Sequence, residues 1–340
     1  MASQYVGLDV HKKTIYGYVM DKEGNKLFEK EFKTDPYDMD LFLLNVVKDD
    51  SIVAIESCSC WQYAYDYLHD DGYTVELAHP VGIAALKKLR KHTDRHDAIL
   101  LADLLRTNML PKSYAAPNDI RVKRQITRHR SSLTNILNEV QNKIHAILLR
   151  HGYDVPFTDA FCKSALKYLH DINLPACDRL EIDQYIEILK LLVVKKNECT
   201  ESIEEIASDD PAIRIAMTMP GMGYFNATAF VGEVGDIRRF ASGDKLTSFT
   251  GIVPRVHQSG EKTTFGSITK QGSNNLRHVI IQAANVAVQH DKLLKKVYLK
   301  FAHKGHNKAI VAVARKMVTL LYVMLKNNIE YRALQIHKAS

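Results

Sequence analysis

Four carboxylates and one serine are the residues of this chain best suited to chemistry. Asp9 lies within "QYVGLDVHKKTIYGYV", residues 4–19, where Val6, Leu8 and Val10 take one face of a strand and Tyr5, Gly7 and Asp9 the other. An ionised carboxylate inside such a strand is costly unless something compensates its charge. Glu56 closes a second apolar run, "SIVAIES", and Asp94 and Asp97 open the segment "DRHDAILLADLLRTN". Three residues apart on a helix, Asp94 and Asp97 can share one face and look at the sheet. Clustered carboxylates repel unless cations sit between them. Two Mg²⁺ ions so held can flank a scissile phosphate and organise its attacking and leaving oxygens. Plainer uses exist: Asp94 after Thr93 suits a helix N-cap, and Glu56 could cap the next helix or end a strand at the surface. Asp9 has few such alternatives.

Ser259, in "RVHQSG", precedes a glycine in a polar stretch. Ser-Gly most often marks a turn. If a metal-bound carboxylate set met this exposed serine, its alkoxide and the developing charge of a phosphate could both be stabilised. Lys262, Lys270 and Arg277 lie nearby and could contact phosphates, although loop lysines are usually just solvated.

The elements that must position these groups are legible as patterns. Residues 4–10, 14–20 and 26–33 read as a three-stranded meander, with "DKEGN" supplying turn chemistry between the second and third strands. A polar helical segment near 36–48 precedes residues 51–57, a nearly all-apolar run expected of a strand buried on both faces. "WQYAYDYLHDDGY" reads as a helix stopped by Gly72, "TVELA" (74–78) as a strand, and Pro80 opens another helix. This β-β-β-α-β-α layout, with the acids in that order, points to an RNase H-like mixed sheet ending near residue 112.

After a linker at 110–119 the pattern changes. Ile126, Leu133, Leu137, Val140, Ile144 and Ile147 form one coiled-coil-like seam, and Ile182, Ile186, Leu189, Val193, Lys196, Ile203 and Ile206 a second. An antiparallel hairpin or a dimerising arm is expected. From about 209 small residues take over, and "PGMG" between helical segments resembles a helix-hairpin-helix turn, although a plain helical turn fits equally. A Gly- and Ser-rich loop region at 250–278 and two helices around 278–290 and 307–327 follow. The fold class is therefore α/β plus all-α. Its expected regions are 1–112, a helical coiled-coil region at 113–208, a mainly helical region at 209–332 and a tail at 333–340.

Composition narrows the function classes. A chain of 340 residues, 46% hydrophobic and 25% charged, is that of an ordinary globular protein rather than a disordered one. No apolar run reaches the roughly 18 to 20 residues of a membrane span, and "MASQYVGLDV" lacks the form of a signal peptide, so a cytoplasmic location is expected. Cys58, Cys60, Cys162, Cys177 and Cys199 form no C-x-x-C pair, which argues against a disulfide framework or a zinc module. The net charge of +7 favours polyanionic partners. Arg121, Lys123, Arg124, Arg128, Arg130 and Lys143 gather on the first long helix, where a solvated face would also explain them.

"YVGLDVHKKT", "VAIES" and "KHTDRHDAILLADLLR" in the first region, with "MPGMGYFNATAFVGEVGDIRRFAS" and "FTGIVPRVHQSGEKTTFGSITKQGSNNLRHVIIQAA" in the last, resemble one family in order and over nearly the whole chain. It is that of the DEDD transposases of insertion sequences in the one-hundred-ten group, whose N-terminal domain is similar to RuvC. The resemblance implies DNA recombination guided by a structured bridge RNA that pairs with target and donor DNA. By position it makes Asp9, Glu56, Asp94 and Asp97 a metal-binding tetrad for Mg²⁺, with Mn²⁺ as a substitute. Ser259 becomes a nucleophile held as phosphoserine, the two sites being assembled from different protomers of a homo-oligomer, a dimer or, on DNA, a tetramer. Arg124, Arg128, Lys262, Lys270 and Arg277 become nucleic-acid contacts, and the protein would be prokaryotic and associated with the nucleoid when active. "SCSCW" after Glu56 and Thr269 in "ITKQG" depart from the family pattern. A metal-only nuclease of the Holliday-junction type, with water as nucleophile, and a non-catalytic RNA- or DNA-binding scaffold remain alternative readings.

Overall fold

The computed structural model describes residues 2–87, 93–259 and 262–332; the side chains of 85–87, 256–259 and 262–265 are outside the described set. The chain divides into two compact units, Met1–Ala115 and Ala116–Ser340.

In the first unit the chain runs β1 (Gln4–Val10), β2 (Thr14–Asp21), β3 (Lys26–Lys33), α1 (Pro36–Leu43), β4 (Ser51–Glu56) and α2 (Trp61–Asp70). It continues through β5 (Thr74–Ala78), α3 (Pro80–Lys87), α4 (Asp94–Arg106) and the two-residue β6 (Lys112–Ser113). One sheet has the order β3-β2-β1-β4-β5-β6. The meander pairs antiparallel, whereas β1–β4 and β4–β5 are parallel. β6 pairs with β5 inside the stretch expected to be linker, a correction of two residues. Period-two alternation sorts the faces. Val6, Leu8, Val10, Val53 and Ile55 bury against Phe42 of α1 and Leu68 of α2; Tyr5, Ala54 and Ala78 bury with Ala98, Leu101 and Ala102 of α4. Each fully buried Leu, Ile or Phe side chain contributes about 1.5–3 kcal/mol.

Gly7 sets how close α4 comes. A Cβ there would lie 2.0 Å from the Ala98 carbonyl oxygen and 2.8 Å from the Ala102 nitrogen, so the helix backbone rests directly on β1. Backbone cannot swing aside as a side chain can. Gly7→Ala is therefore expected to cost about 1–3 kcal/mol or more through overpacking, read as a lower urea midpoint with an unchanged slope. A second anchor is bidentate: Arg95 donates to both carboxylate oxygens of Glu29, at 2.9 and 3.2 Å, tying the first turn of α4 to β3.

The second unit begins with α5 (Asn118–Arg150), α6 (Lys163–Asp171) and α7 (Ala176–Asp209). α5 and α7 run antiparallel, each about 50 Å long at 1.5 Å per residue. Arg150 and His151 at the end of α5 meet Asp178 at the start of α7, and Arg130 meets Thr200. Val140, Ile144, Ile147 and Leu148 pack with Ile182, Ile186 and Leu189, as the seams lead one to expect. Nearer the start of α5 the pattern departs from expectation. Ile126 and Leu133 are only partly buried, while Lys123 and Thr127 are buried. Here α5 turns that face to Gly232, where an added Cβ would lie 3.0 Å from the Lys123 Cβ. The Lys123 ammonium is compensated by Asp210 at 2.6 Å and Asp119 at 3.2 Å.

α8 (Pro211–Met217), α9 (Tyr224–Val234), α10 (Gly243–Thr250), β7 (Pro254–Ser259), β8 (Lys262–Ile268), α11 (Asn274–His290), α12 (Lys292–Ala302) and α13 (His306–Asn327) complete the chain. Phe230, Leu276, Ile280, Val313, Met317 and Leu321 form the core of these helices. α12, capped by Asp291, is an element the sequence reading lacks, and the region expected as loop contains the β7–β8 hairpin. Among the described residues no helix is long and apolar enough to cross a membrane.

Candidate metal centre and serine hairpin

The parallel register pairs Leu8 with Ile55, so Asp9 and Glu56 each follow by one residue on neighbouring strands. By alternation both belong to the face that carries Gly7 and Ala54, the face covered by α4. Thr93 caps α4, its Oγ1 accepting from the His96 N–H at 3.3 Å. Asp94 and Asp97 are thus first-turn residues, and the N-cap use weighed for Asp94 does not apply. The partial positive charge of a helix N-terminus favours carboxylates there.

Asp9 is 7% exposed, and its Oδ2 lies 3.2 Å from the His11 Nε2. The same nitrogen lies 3.5 Å from an Asp94 oxygen, and the His11 and Asp94 side chains are about half exposed, at 51% and 55%. Asp9, His11 and Asp94 can each offer one ligand atom, all within 4.8 Å of one another. The floor of this group is closed and its rim is open. Glu56 and Asp97, both half-buried, sit on the same face but outside that group of atoms. His11 was not among the residues singled out from the sequence. Its signal was its spacing, two residues beyond Asp9 along an extended chain, which returns it to the same side. Two carboxylates and an imidazole fit a divalent cation; oxygen donors suit Mg²⁺ and Mn²⁺, and the nitrogen favours the transition-metal ion.

The unusual "SCSCW" stretch has a local explanation. The Cys58 thiol donates to the Val10 carbonyl at 3.3 Å, and burial pushes its pKa up, so it stays protonated and fastens the segment after Glu56 to the end of β1.

Ser259 is the last residue of β7, and its backbone pairs with Lys262. The side chains of both residues lie outside the described set. The other end of the hairpin is anchored: Thr269 N–H donates to Val253 and Lys270 N–H to Gly251, a left-handed residue at φ +71° that ends α10. Lys270 is itself left-handed at φ +56° and exposed. Arg277, in the first turn of α11, donates to Asn274.

Arg124 and Arg128 are engaged within the fold. Arg124 donates to the Gly232 and Glu233 carbonyls at 2.6 and 3.2 Å, and Arg128 to both Glu233 carboxylate oxygens at 2.7 and 2.9 Å. Glu233 is 3% exposed. Burial alone would raise its pKa, but the hydrogen bonds and charge of Arg128 hold it below the usual carboxylate value. A depressed folded pKa means the pair stabilises the protein above the unfolded value and ceases to do so as pH falls through the folded one. Arg128→Ala, which strands a buried carboxylate, is expected to cost about 2–3 kcal/mol at neutral pH, below the range for fully buried pairs because Arg128 is half exposed. Urea melts of the two proteins should converge as Glu233 becomes protonated in acid.

Comparison with known proteins shows the family. The family model of the DEDD transposases of the IS110 type matches residues 6–152, and that of the transposase IS116/IS110/IS902 family matches residues 213–299. The chain is 25% identical over 333 residues to the transposase for insertion sequence element IS1328 of Yersinia enterocolitica, covering 94% of this chain and 96% of that one. It is 23% identical to the transposase for IS1111A of Coxiella burnetii, covering 96% and 91%. It is also similar to a pilin gene-inverting protein of Moraxella bovis, 24% identical over 79% of this chain and 77% of that one. The chain belongs to the IS110 family of DEDD transposases, enzymes that cut DNA and transfer its strands.

Proposed function

We propose that this transposase recombines donor and target DNA through a Ser259 nucleophile and a divalent-metal site built on Asp9, Glu56, Asp94 and Asp97, with Mg²⁺ as its ion and Mn²⁺ as a substitute. One observation carries the reading: buried Asp9 and first-turn Asp94, remote in sequence, meet around one imidazole. Acids so placed are compensated by a cation. When bound, the ion supplies charge stabilisation at the scissile phosphate. Ser259 gives its hydroxyl proton to solvent as its Oγ bonds to phosphorus. The bond from phosphorus to the leaving sugar oxygen breaks, and that oxygen takes up a proton. Attack by a hydroxyl of the incoming strand reverses these steps and returns the serine.

A structured RNA encoded by the element selects both DNA sites by base pairing, and a homodimer, becoming a tetramer on DNA, brings Ser259 of one protomer to the tetrad of another. Lys262 within the hairpin, with Lys270 and Arg277 beyond its end, supplies cations for backbone phosphates. Arg124 and Arg128 steady the helix that meets the RNA. The test is recombination of donor and target plasmids by purified protein with and without the RNA transcribed from the element. Recombinants that appear only with RNA and a divalent ion are expected; equal recombination without RNA removes guidance from the reading.

His11 joins the site as a further ligand. His11→Ala is expected to weaken Mn²⁺ binding about tenfold or more, with a smaller change for Mg²⁺, because the lost donor is a nitrogen. Calorimetric titration of each ion checks this, and unchanged affinities for both would leave His11 outside the site.

A further inference from the structure

Arg130 and Arg277 line one open groove in the second unit, of about 1280 Å³. That exceeds the roughly 1,000 Å³ upper size of a small-molecule pocket. Both guanidinium groups are poorly compensated. Arg130 donates to the Thr200 hydroxyl at 2.9 Å and stacks over Phe225 at 4.3 Å from the ring centre; among the described residues no carboxylate pairs with it. Burial pulls its pKa down from the ordinary arginine value. In Arg277 the Nη1 atom is buried with no hydrogen-bond partner. A half-buried cation without an anion is costly, and an anionic occupant of the groove removes that cost.

The rest of the groove suits the same occupant. The first turns of α9 and α11 border it. α9 starts at Gly223 with no side-chain cap, leaving its first N–H groups to meet an external acceptor. Among the described residues that line the groove Glu204 is the one acid, and exposed Tyr224 offers a ring on which a base can stack. Gly221 explains the shape of this rim. At φ +84°, with an added Cβ 2.2 Å from the Ala283 carbonyl oxygen, it seats the turn before α9 directly on α11. Ile268, at the opposite end of β8 from Lys262, also lines the groove.

We infer that this groove binds the phosphodiester backbone of a single-stranded nucleic-acid segment, with Arg130 and Arg277 as phosphate contacts, and holds it beside the base of the hairpin that carries Ser259. The choice of ligand class rests on the transposase reading; the groove's demand for an anion does not.

The test is fluorescence anisotropy of the full-length protein with a labelled single-stranded DNA, an RNA of the same sequence, and the DNA duplex, across a salt series. Arg130→Gln and Arg277→Gln are each expected to weaken single-strand binding about three- to tenfold and to lower the slope of log K against log salt by about one. Because Arg130→Gln also removes packing, Ser132→Glu, on the exposed face of α5 along the groove, supplies the same test without touching the core. The arm, DNA or RNA, that responds to all three variants identifies the strand. Wild-type binding of both strands by Ser132→Glu and Arg277→Gln, or losses confined to the duplex, overturns the inference. Ser259→Ala should bind the strands normally, so a failure of the nucleophile and a failure of the groove are separable.

Discussion

Asp9→Asn is expected to slow DNA cleavage by about a thousandfold or more while leaving the fold intact. The amide has nearly the shape of the carboxylate, so the packing of β1 against α4 is preserved at a site only 7% exposed. What disappears is the charge that, in the proposed site, would compensate a cation together with Asp94. Losing one electrostatic partner of a reacting phosphate typically costs two to three powers of ten or so, and losing the ion costs more. The charge also meets His11 at 3.2 Å, a contact whose exposed imidazole limits its worth to about 1 kcal/mol or less, and the amide can keep the hydrogen bond. The variant should therefore melt within a few degrees of wild type, bind DNA, and fail to bind Mn²⁺ in calorimetry. A cleavage rate equal to wild type in Mg²⁺ would place the metal elsewhere. Asp94→Asn tests the same group from its exposed rim, with a loss expected to be smaller because solvent can replace part of its contribution.

Ser259→Ala is expected to have an effect as large, by a different route. It deletes one oxygen at the end of β7, where the backbone pairing with Lys262 makes no use of the side chain. Folding, metal affinity and DNA binding should all persist. Strand transfer should fall by about a thousandfold or more, since without Oγ no phosphoserine can form from which the strand passes to the incoming hydroxyl. Mixing Ser259→Ala with Asp9→Asn protein then probes the assembly: recovery of recombination in the mixture is expected if one protomer's serine serves another's tetrad. No recovery at any ratio would assign both groups to a single protomer.

Much of the first unit was legible because its signals are local. Alternation about Val6, Leu8 and Val10, the turn chemistry around Gly24 and the apolar run ending at Glu56 each report directly on a pleated strand. The order of the acids along those elements was enough to point to an RNase H-like layout. What alternation could not carry was contact. Only the nearness of the α4 backbone to Gly7 shows why Asp94 comes to Asp9, and only that meeting brings His11 into view. On α5 the seam predicted from Ile126 and Leu133 gives way to Lys123 and Thr127, because Gly232 offers a surface there that accepts a stem of methylenes and two acids compensate the ammonium. The β7–β8 hairpin was hidden by its glycines and serines, although the β-branched Thr263 and Thr264 lie within it. Arg124 and Arg128 looked like solvent-facing cations until Glu233, more than a hundred residues away in sequence, was found beneath Arg128.

Covalent catalysis by Ser259 at a metal-dependent site is open to test on a denaturing gel. Wild-type protein is incubated with end-labelled DNA, the RNA and Mg²⁺, quenched in detergent and resolved beside the two variants. A labelled protein–DNA adduct is expected that needs the ion, is absent in Ser259→Ala and Asp9→Asn, and maps to the Ser259 peptide by mass spectrometry. Cleaved DNA from wild-type protein with no adduct at any time point would contradict covalent catalysis and assign the attack to water.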